Sequence, residues 1–110
     1  MPASPSTRRS VAFDVRFLTG AEDDLFEIYR YVAEHGGDER ADGYDRRLRA
    51  SCLKLVDFPN RGSPRNDLEA DLRSISFERR ATIYYRIEGA TVEIVRILRV
   101  GRDPRREFGG

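Results

Sequence analysis

The sequence predicts an α+β fold in which a helix hairpin packs on one face of a small, mainly antiparallel sheet, in the order β-α-α-β-β-β. Three observations predict it. An early stretch alternates apolar and polar residues, two amphipathic segments meet at Gly36-Gly37, and three short strand patterns follow a loop rich in Pro, Gly and Asn. Helices grouped ahead of a run of strands are typical of a two-layer α+β domain.

With 110 residues the chain has room for one domain with a modest core. We predict a disordered lead-in at 1–10, a single domain at 11–104 and a C-terminal tail at 105–110. The lead-in lacks the apolar stretch of a signal peptide, and the chain has no run of 18 apolar residues. A cytoplasmic protein without a membrane span is therefore expected. The single cysteine, Cys52, excludes an internal disulfide.

The first strand and helix follow directly from residue spacing. Residues 12–18 alternate apolar and polar side chains, the period of a half-buried strand. Thr19, three residues before Glu22, matches a capping box and predicts the helix start. One apolar face then repeats at helical spacing, and His35-Gly36-Gly37 ends the helix. The residues on that face are Ala21, Leu25, Ile28, Tyr29 and Val32.

A second helix is predicted from Asp38, as its cap, to about Phe58, where Pro59 enforces the stop. Its apolar face includes Cys52, which is therefore expected to be a small core residue rather than a nucleophile. Two helices joined by a Gly-Gly corner should form an antiparallel hairpin.

After the loop at 59–71, the chain has three strand patterns separated by turns short enough for antiparallel hairpins. The last pattern is apolar on both faces, which indicates a central strand. The predicted strands are 73–77, 81–87 and 91–98, with turns at 78–80 and 88–90.

Charge is divided unevenly along the chain although the net charge is only +1. Residues 14–45 hold ten acids against three arginines, and residues 72–107 hold nine arginines against five acids. A GC-rich coding bias explains an excess of arginine over lysine, but it does not explain the concentration of arginine in the second half. This segregation suggests an acidic or polyanionic partner for the basic half.

Residue chemistry does not favour an enzyme. The sequence contains no Gly-rich phosphate loop, HExxH or CxxC motif, so no cofactor, metal site or catalytic residue is predicted. Three arginines, Arg73, Arg86 and Arg96, lie within strand patterns. Arginine there can bind nucleic acid, can pair with the carboxylates of a partner, or can pair with local acids as part of the fold.

The chain also resembles a known family over nearly its whole length, from about Val11 to Asp103. The segments "FLTGAEDDLFEIYRYVAEHGG", "ADGYDRRLRASCLKLVDFPNRG" and "LRSISFERRATIYYRIEGATVEIVRILRVGRD" resemble the ParE branch of the RelE/ParE toxins of bacterial toxin–antitoxin modules. The marks of the resemblance are Ala21, Asp24-Leu25, Pro59, Gly62, Arg73, Tyr85-Arg86, Arg96-Ile97-Leu98 and Arg102-Asp103.

The resemblance implies a type II toxin that inhibits growth and is neutralised by a cognate, ParD-like antitoxin in a hetero-oligomer. ParE-like members poison DNA gyrase, whereas RelE-like members cut mRNA on the ribosome. Here Arg99 stands where many relatives have His, and Phe108 stands where the ribonuclease branch tends to have Tyr. Because arginine is effectively always protonated, it cannot easily act as a base. Poisoning of DNA gyrase is therefore favoured over cleavage of mRNA. An mRNA endoribonuclease and a non-toxic binding domain stay open as alternatives.

Six residues are the candidates for contact with the target or the antitoxin. They carry charge on the predicted strands or belong to the C-terminal mark of the resemblance. They are Arg73, Arg86, Arg96, Arg99, Arg102 and Asp103.

Overall fold

The computed structural model describes residues 13–109, so the predicted lead-in at 1–10 lies outside the described residues. The predicted α+β class and the order β-α-α-β-β-β are confirmed, with one short strand and one short helix in addition. In order, the elements are β1 (Asp14–Phe17), α1 (Thr19–Gly36), α2 (Asp38–Leu53) with a 3₁₀ turn (Lys54–Val56), β2 (Ser63–Pro64), β3 (Arg73–Phe77), β4 (Ala81–Glu88), β5 (Thr91–Arg99) and α3 (Pro104–Phe108).

Both predicted helix caps are wrong by one position. Thr19 lies inside α1, and the extended residue before it, Leu18, accepts the backbone N–H of Glu22 at 3.0 Å, with no side-chain cap. Asp38 is likewise the first residue of α2, and Gly37 occupies the cap position with φ 92°. Because only glycine adopts that conformation readily, the sharp corner between the helices places the cap on Gly37. The second helix also ends at Leu53, before a 3₁₀ turn, rather than near Phe58.

The sheet has the strand order β1-β5-β4-β3-β2. β1 runs parallel to β5, and the other three pairs are antiparallel, so the sheet is mixed. The predicted interior position of the last long strand is confirmed, because β5 lies between β1 and β4. The two-residue β2 falls in the segment predicted as a loop, and it is too short to produce a periodic pattern.

The main core lies between the helix hairpin and the sheet, and it contains Cys52, fully buried as predicted. Burial raises the pKa of the Cys52 thiol to about 12, as expected for an inert core cysteine. A second, smaller cluster covers the opposite face of the sheet. It is formed by Leu72, Tyr84 and Leu98, with Phe108 of α3 packed against it. No helix within residues 13–109 is long and apolar enough to cross a membrane.

The loop after α2 is fixed to the sheet by one buried hydroxyl. The Tyr85 hydroxyl donates to the Pro59 carbonyl at 2.7 Å and accepts the Gly62 N–H at 2.8 Å. From β3, the Arg73 guanidinium donates to the carbonyls of Asn60 and Gly62 at 3.1 and 2.7 Å. These four bonds satisfy backbone groups that no strand or helix pairs, and they hold the loop in one conformation.

Candidate functional site

Four of the six predicted site residues come together where β5 ends. Arg96 and Arg99 lie on the last half of the strand, and Arg102 and Asp103 follow in the turn that leads to α3. The other two lie towards the opposite end of the sheet. Arg73 opens β3 and holds the loop after α2, and Arg86 bonds Glu93 and Glu69 at 2.9 and 2.7 Å. The site described below is therefore the C-terminal end of β5.

Arg96 is held by a buried carboxylate from the first helix. Its Nε and Nη2 donate to the two oxygens of Asp24 at 2.7 and 2.9 Å, a bidentate geometry. Asp24 is only 8% exposed, and the same carboxylate accepts the backbone N–H of Ile97 at 2.8 Å. β1 pairs with β5 only as far as Ile94. Beyond that point the Asp24 carboxylate accepts the strand N–H that a neighbouring strand would otherwise pair.

A second carboxylate, that of Glu107, forms hydrogen bonds with both Arg96 and Arg102. Glu107 accepts Nη2 of Arg96 at 3.1 Å and Nη2 of Arg102 at 3.0 Å. Glu107 reaches them because Asp103 caps α3, accepting the Arg105 N–H at 3.0 Å, and Pro104 follows at the first helical position. Arg96 and Arg102 are therefore bound to acids of the same chain.

The remaining arginine of the site, Arg99, has a different environment. Its guanidinium lies 3.9 Å from the ring centroid of Tyr31 on α1, a close cation–π contact. Within residues 13–109 no carboxylate lies within 4.0 Å of the Arg99 guanidinium nitrogens. Its charge is therefore not paired with an acid from the described part of the chain.

The short helix α3 covers part of the sheet face next to the site. The ring of Phe108 meets the ring of Tyr84 edge to face, with centroids 5.1 Å apart. The predicted C-terminal tail, 105–110, thus begins within a helical turn that packs on the sheet. Arg105 on this turn is 71% exposed, whereas Glu107 points back to the site and is 22% exposed.

With this geometry established, the comparisons with known proteins decide the family. The family described as "ParE toxin of type II toxin-antitoxin system, parDE" matches residues 15–104, which is most of the chain. The chain belongs to the ParE toxin family. Toxin ParE3 of Caulobacter vibrioides is 35% identical to this toxin over 75 residues, 68% of this chain and 74% of that protein.

Two solved structures resemble this toxin in fold. The chromosomal ParDE system from P. aeruginosa contains a chain with a TM-score of 0.72 and 24% identity, covering 82% of this toxin and 98% of that chain. The RelBE2 toxin–antitoxin complex from Mycobacterium tuberculosis contains one with a TM-score of 0.60 and 23% identity, covering 80% and 98%. At these identities the likeness shows the shared fold.

Glu107 of this toxin's site is unsuited to act as a base near neutral pH. Hydrogen bonding to Arg102 lowers the pKa of Glu107, with a further contribution from Arg96. A general base works best when its pKa lies near the operating pH, so this shift is in the wrong direction. The pKa of Arg96 is raised, mainly by its hydrogen bond with Asp24, so this guanidinium keeps its charge throughout. The guanidiniums of the site can bind and orient anionic groups.

Two residues of the toxin's site were not predicted from the sequence as partners of its arginines. Asp24 was named only as one of the marks of the family resemblance, and Glu107 lay in the predicted tail. The signal that marks Asp24 is its position among buried neighbours, Ala21, Leu25 and Ile28, where an unpaired carboxylate is unfavourable. The sequence gives no indication that its partner lies 72 positions later.

The lowered pKa of Glu107 predicts how the toxin's stability depends on pH. Because the folded-state pKa lies below the unfolded value of about 4.3, its stabilisation is complete above that value and is lost as the pH falls through the folded pKa. Unfolding in urea between about pH 5 and pH 2 should show a shallower loss of stability for Glu107→Gln than for the wild type. Equal slopes would contradict the prediction. Glu88→Gln, on an exposed side chain, is the control.

Proposed function

We propose that this chain is a growth-inhibiting toxin that traps DNA gyrase on cleaved DNA, acts in the cytoplasm, and is held inactive by a cognate ParD-like antitoxin. Membership of the ParE family is the observation that carries the proposal. The chemistry of the site supports a binding mode of action. Arg99 and Phe108 occupy the positions where the resemblance would place a titratable group in a nuclease.

The end of β5 supports the proposal as a surface for an anionic target. Arg99 keeps its charge without an acid from residues 13–109, and Arg102 is 43% exposed although it bonds Glu107. Both guanidiniums can contact phosphates or carboxylates of a nucleoprotein target. Neither can remove the proton that an RNA cleavage step requires from a 2′-hydroxyl, because guanidinium does not deprotonate in this range.

A supercoiling assay with purified gyrase tests the proposed target. The toxin should inhibit supercoiling of relaxed plasmid, and linear DNA should accumulate when the reaction is stopped with detergent and protease. Addition of the antitoxin should reverse both effects. Two results together would show that the toxin is instead an mRNA endoribonuclease. They are absence of gyrase inhibition at any toxin concentration, and cuts in cellular mRNA mapped by primer extension. Unchanged growth on induction without antitoxin would favour the non-toxic binding domain.

A paired substitution tests the proposed surface. We expect Arg99→Gln with Arg102→Gln to raise the toxin concentration needed for half-inhibition of gyrase by about tenfold or more, the size typical of a binding hot spot. The control is Arg40→Gln with Arg46→Gln, two exposed arginines of α2. It removes the same charge and should leave inhibition unchanged. Similar losses in both variants would mean that overall charge, and not this surface, governs the effect.

A further inference from the structure

The outer edge of β1 is open within residues 13–109, because β5 is the only strand next to it in the sheet. The N–H of Asp14 donates to the Ala90 carbonyl at 3.0 Å, so the backbone of Asp14 faces β5. Since the backbone groups of successive residues point to opposite sides of a strand, those of Val15 and Phe17 point away from β5. Unpaired backbone groups along an edge are a template on which another strand can pair.

The charges of β1 lie on the face of the sheet opposite the helices. Its apolar side chains pack against the main core, whereas Asp14 and Arg16 are exposed. Among residues 13–109, no arginine nitrogen lies within 4.0 Å of the Asp14 carboxylate, and Arg16 reaches only Glu93, at 3.9 Å. The Arg16 side chain is 69% exposed. Both charges are therefore available to a partner.

These charges make the edge complementary to a second copy of itself. When two β1 strands run antiparallel with Val15 at the centre, Asp14 of each copy lies opposite Arg16 of the other. Because the Val15 backbone points outward, the central pair exchanges two hydrogen bonds. The flanking pairs are then of the non-hydrogen-bonded kind, in which the side chains are closest. One arrangement therefore provides both the ion pairs and the backbone hydrogen bonds.

The same charges disfavour the neighbouring registers. A shift of two residues keeps the outward backbone groups aligned, but it places Asp14 opposite Asp14 or Arg16 opposite Arg16. A shift of one residue aligns outward groups with groups that already bond to β5. A single antiparallel register thus satisfies both the backbone and the charges, and its symmetry is the two-fold axis of an isologous dimer.

Residues 1–12 of the same chain are less suited to this edge. They contain Pro2 and Pro5, which cannot donate a backbone hydrogen bond, and they hold two arginines but no acid. Their pairing with β1 would bring no carboxylate to Arg16. A second copy supplies both a carboxylate for Arg16 and a guanidinium for Asp14.

The end of α2 lies beside the same edge. The Arg49 guanidinium lies 5.7 Å from the Phe17 ring centroid, and the 3₁₀ turn that follows α2 contacts β1. Leu53, the last residue of α2, is 53% exposed. A two-fold axis perpendicular to the joined sheet keeps the helices of both copies on one face. The ends of the two α2 helices then lie on either side of the shared strands, where Leu53 adds apolar area to the contact.

We propose that the open edge of β1 is a self-association surface, at which two copies of this toxin pair their β1 strands antiparallel about Val15 and join their five-stranded sheets. The inference stands on β1 and does not depend on the proposed function. Because the paired strands run in opposite directions, the two β5 ends lie at opposite ends of the joined sheet. The dimer thus carries two separate copies of the site that contains Arg99 and Arg102.

Sedimentation velocity of the full-length toxin, without antitoxin, tests the surface by exchange of charge. Asp14→Arg and Arg16→Asp each place like charges at both flanking pairs, so each should raise the dimer dissociation constant at least about tenfold. An equimolar mixture of the two variants should recover the wild-type affinity, because every flanking pair is again of opposite charge. The double variant Asp14→Arg with Arg16→Asp should also recover it. Arg40→Asp, on an exposed side chain of α2, is the control and should leave the constant unchanged.

Four outcomes would reject the self-association surface. They are a wild-type toxin that stays monomeric up to about 1 mM, single variants that dimerise as the wild type does, a mixture that fails to associate, and dimerisation that appears only when residues 1–10 are removed. The last result would make those residues the occupant of the edge. If the β1 substitutions prevent folding, Leu53→Asp takes their place. A rise in its dissociation constant of at least about threefold would support the proposal, and a smaller change would reject it.

Discussion

Replacing Asp24 with alanine should lower the free energy of unfolding by about 3 kcal/mol, because a partly buried guanidinium would lose its bidentate partner. The same change would leave the Ile97 N–H unpaired at the edge of β5, where β1 has already ended. The 8% exposure of Asp24 gives water little access to replace these bonds. Urea unfolding monitored by circular dichroism measures the effect.

Two further variants separate this ion pair from general effects of charge. Asp23→Ala removes the same charge one position earlier from an exposed side chain, and it should cost less than about 1 kcal/mol. Asp24→Ala combined with Arg96→Met should be more stable than Asp24→Ala alone, since the uncompensated charge is then removed as well. Equal stabilities of the Asp23 and Asp24 variants would reject the role assigned to this pair.

Gly62→Ala should destabilise the fold by about 3 kcal/mol, although it adds one methyl group. A Cβ at this position would lie 2.6 Å from the Tyr85 hydroxyl oxygen, 2.8 Å from Cε1 of that ring and 3.0 Å from the Ser74 carbonyl oxygen. Tyr85 is fully buried and cannot move aside without breaking its bonds to Pro59 and Gly62. Thermal and urea unfolding should both report the loss.

The same substitution at a second glycine supplies the control. Gly43 lies inside α2, where a Cβ would meet only Nη1 of Arg47, at 3.5 Å. Gly43→Ala should therefore stabilise the protein by about 0.5–1 kcal/mol, the usual gain in a helix interior. Tyr85→Phe in the Gly62→Ala background should cost less than in the wild type, because the hydroxyl that clashes is removed. Additive losses would show that the clash is not with the Tyr85 hydroxyl.

The elements of this fold could be predicted because their signals are local. Alternation over a few residues defined β1 and β3, and helical spacing with the Gly36-Gly37 corner defined the hairpin. The helix caps were mispredicted because several polar residues stood near each start, and the choice depended on the backbone conformation at Leu18 and Gly37. The parallel pairing of β1 with β5 has no local signal at all.

The partners of the arginines were harder to predict than their positions. Arg73, Arg86 and Arg96 lie on strands as predicted, but each of them donates hydrogen bonds to groups of the same chain. Which acid reaches which arginine depends on how helix, sheet and loop pack together, and residue spacing contains no such information. The exposed arginines Arg79 and Arg80 were predicted only as part of a turn.

The pairing of β1 with β5 also determines when this protein can fold. Within residues 13–109, the only strand next to β1 in the sheet is β5, whose paired residues begin at Thr91, far from β1 along the sequence. A ribosome must therefore release the chain as far as β5 before β1 can pair in the sheet. Contacts between such distant segments slow folding, because a long loop must close before any of them forms. A nascent chain of this toxin is thus expected to stay incomplete in structure until β5 has left the ribosome.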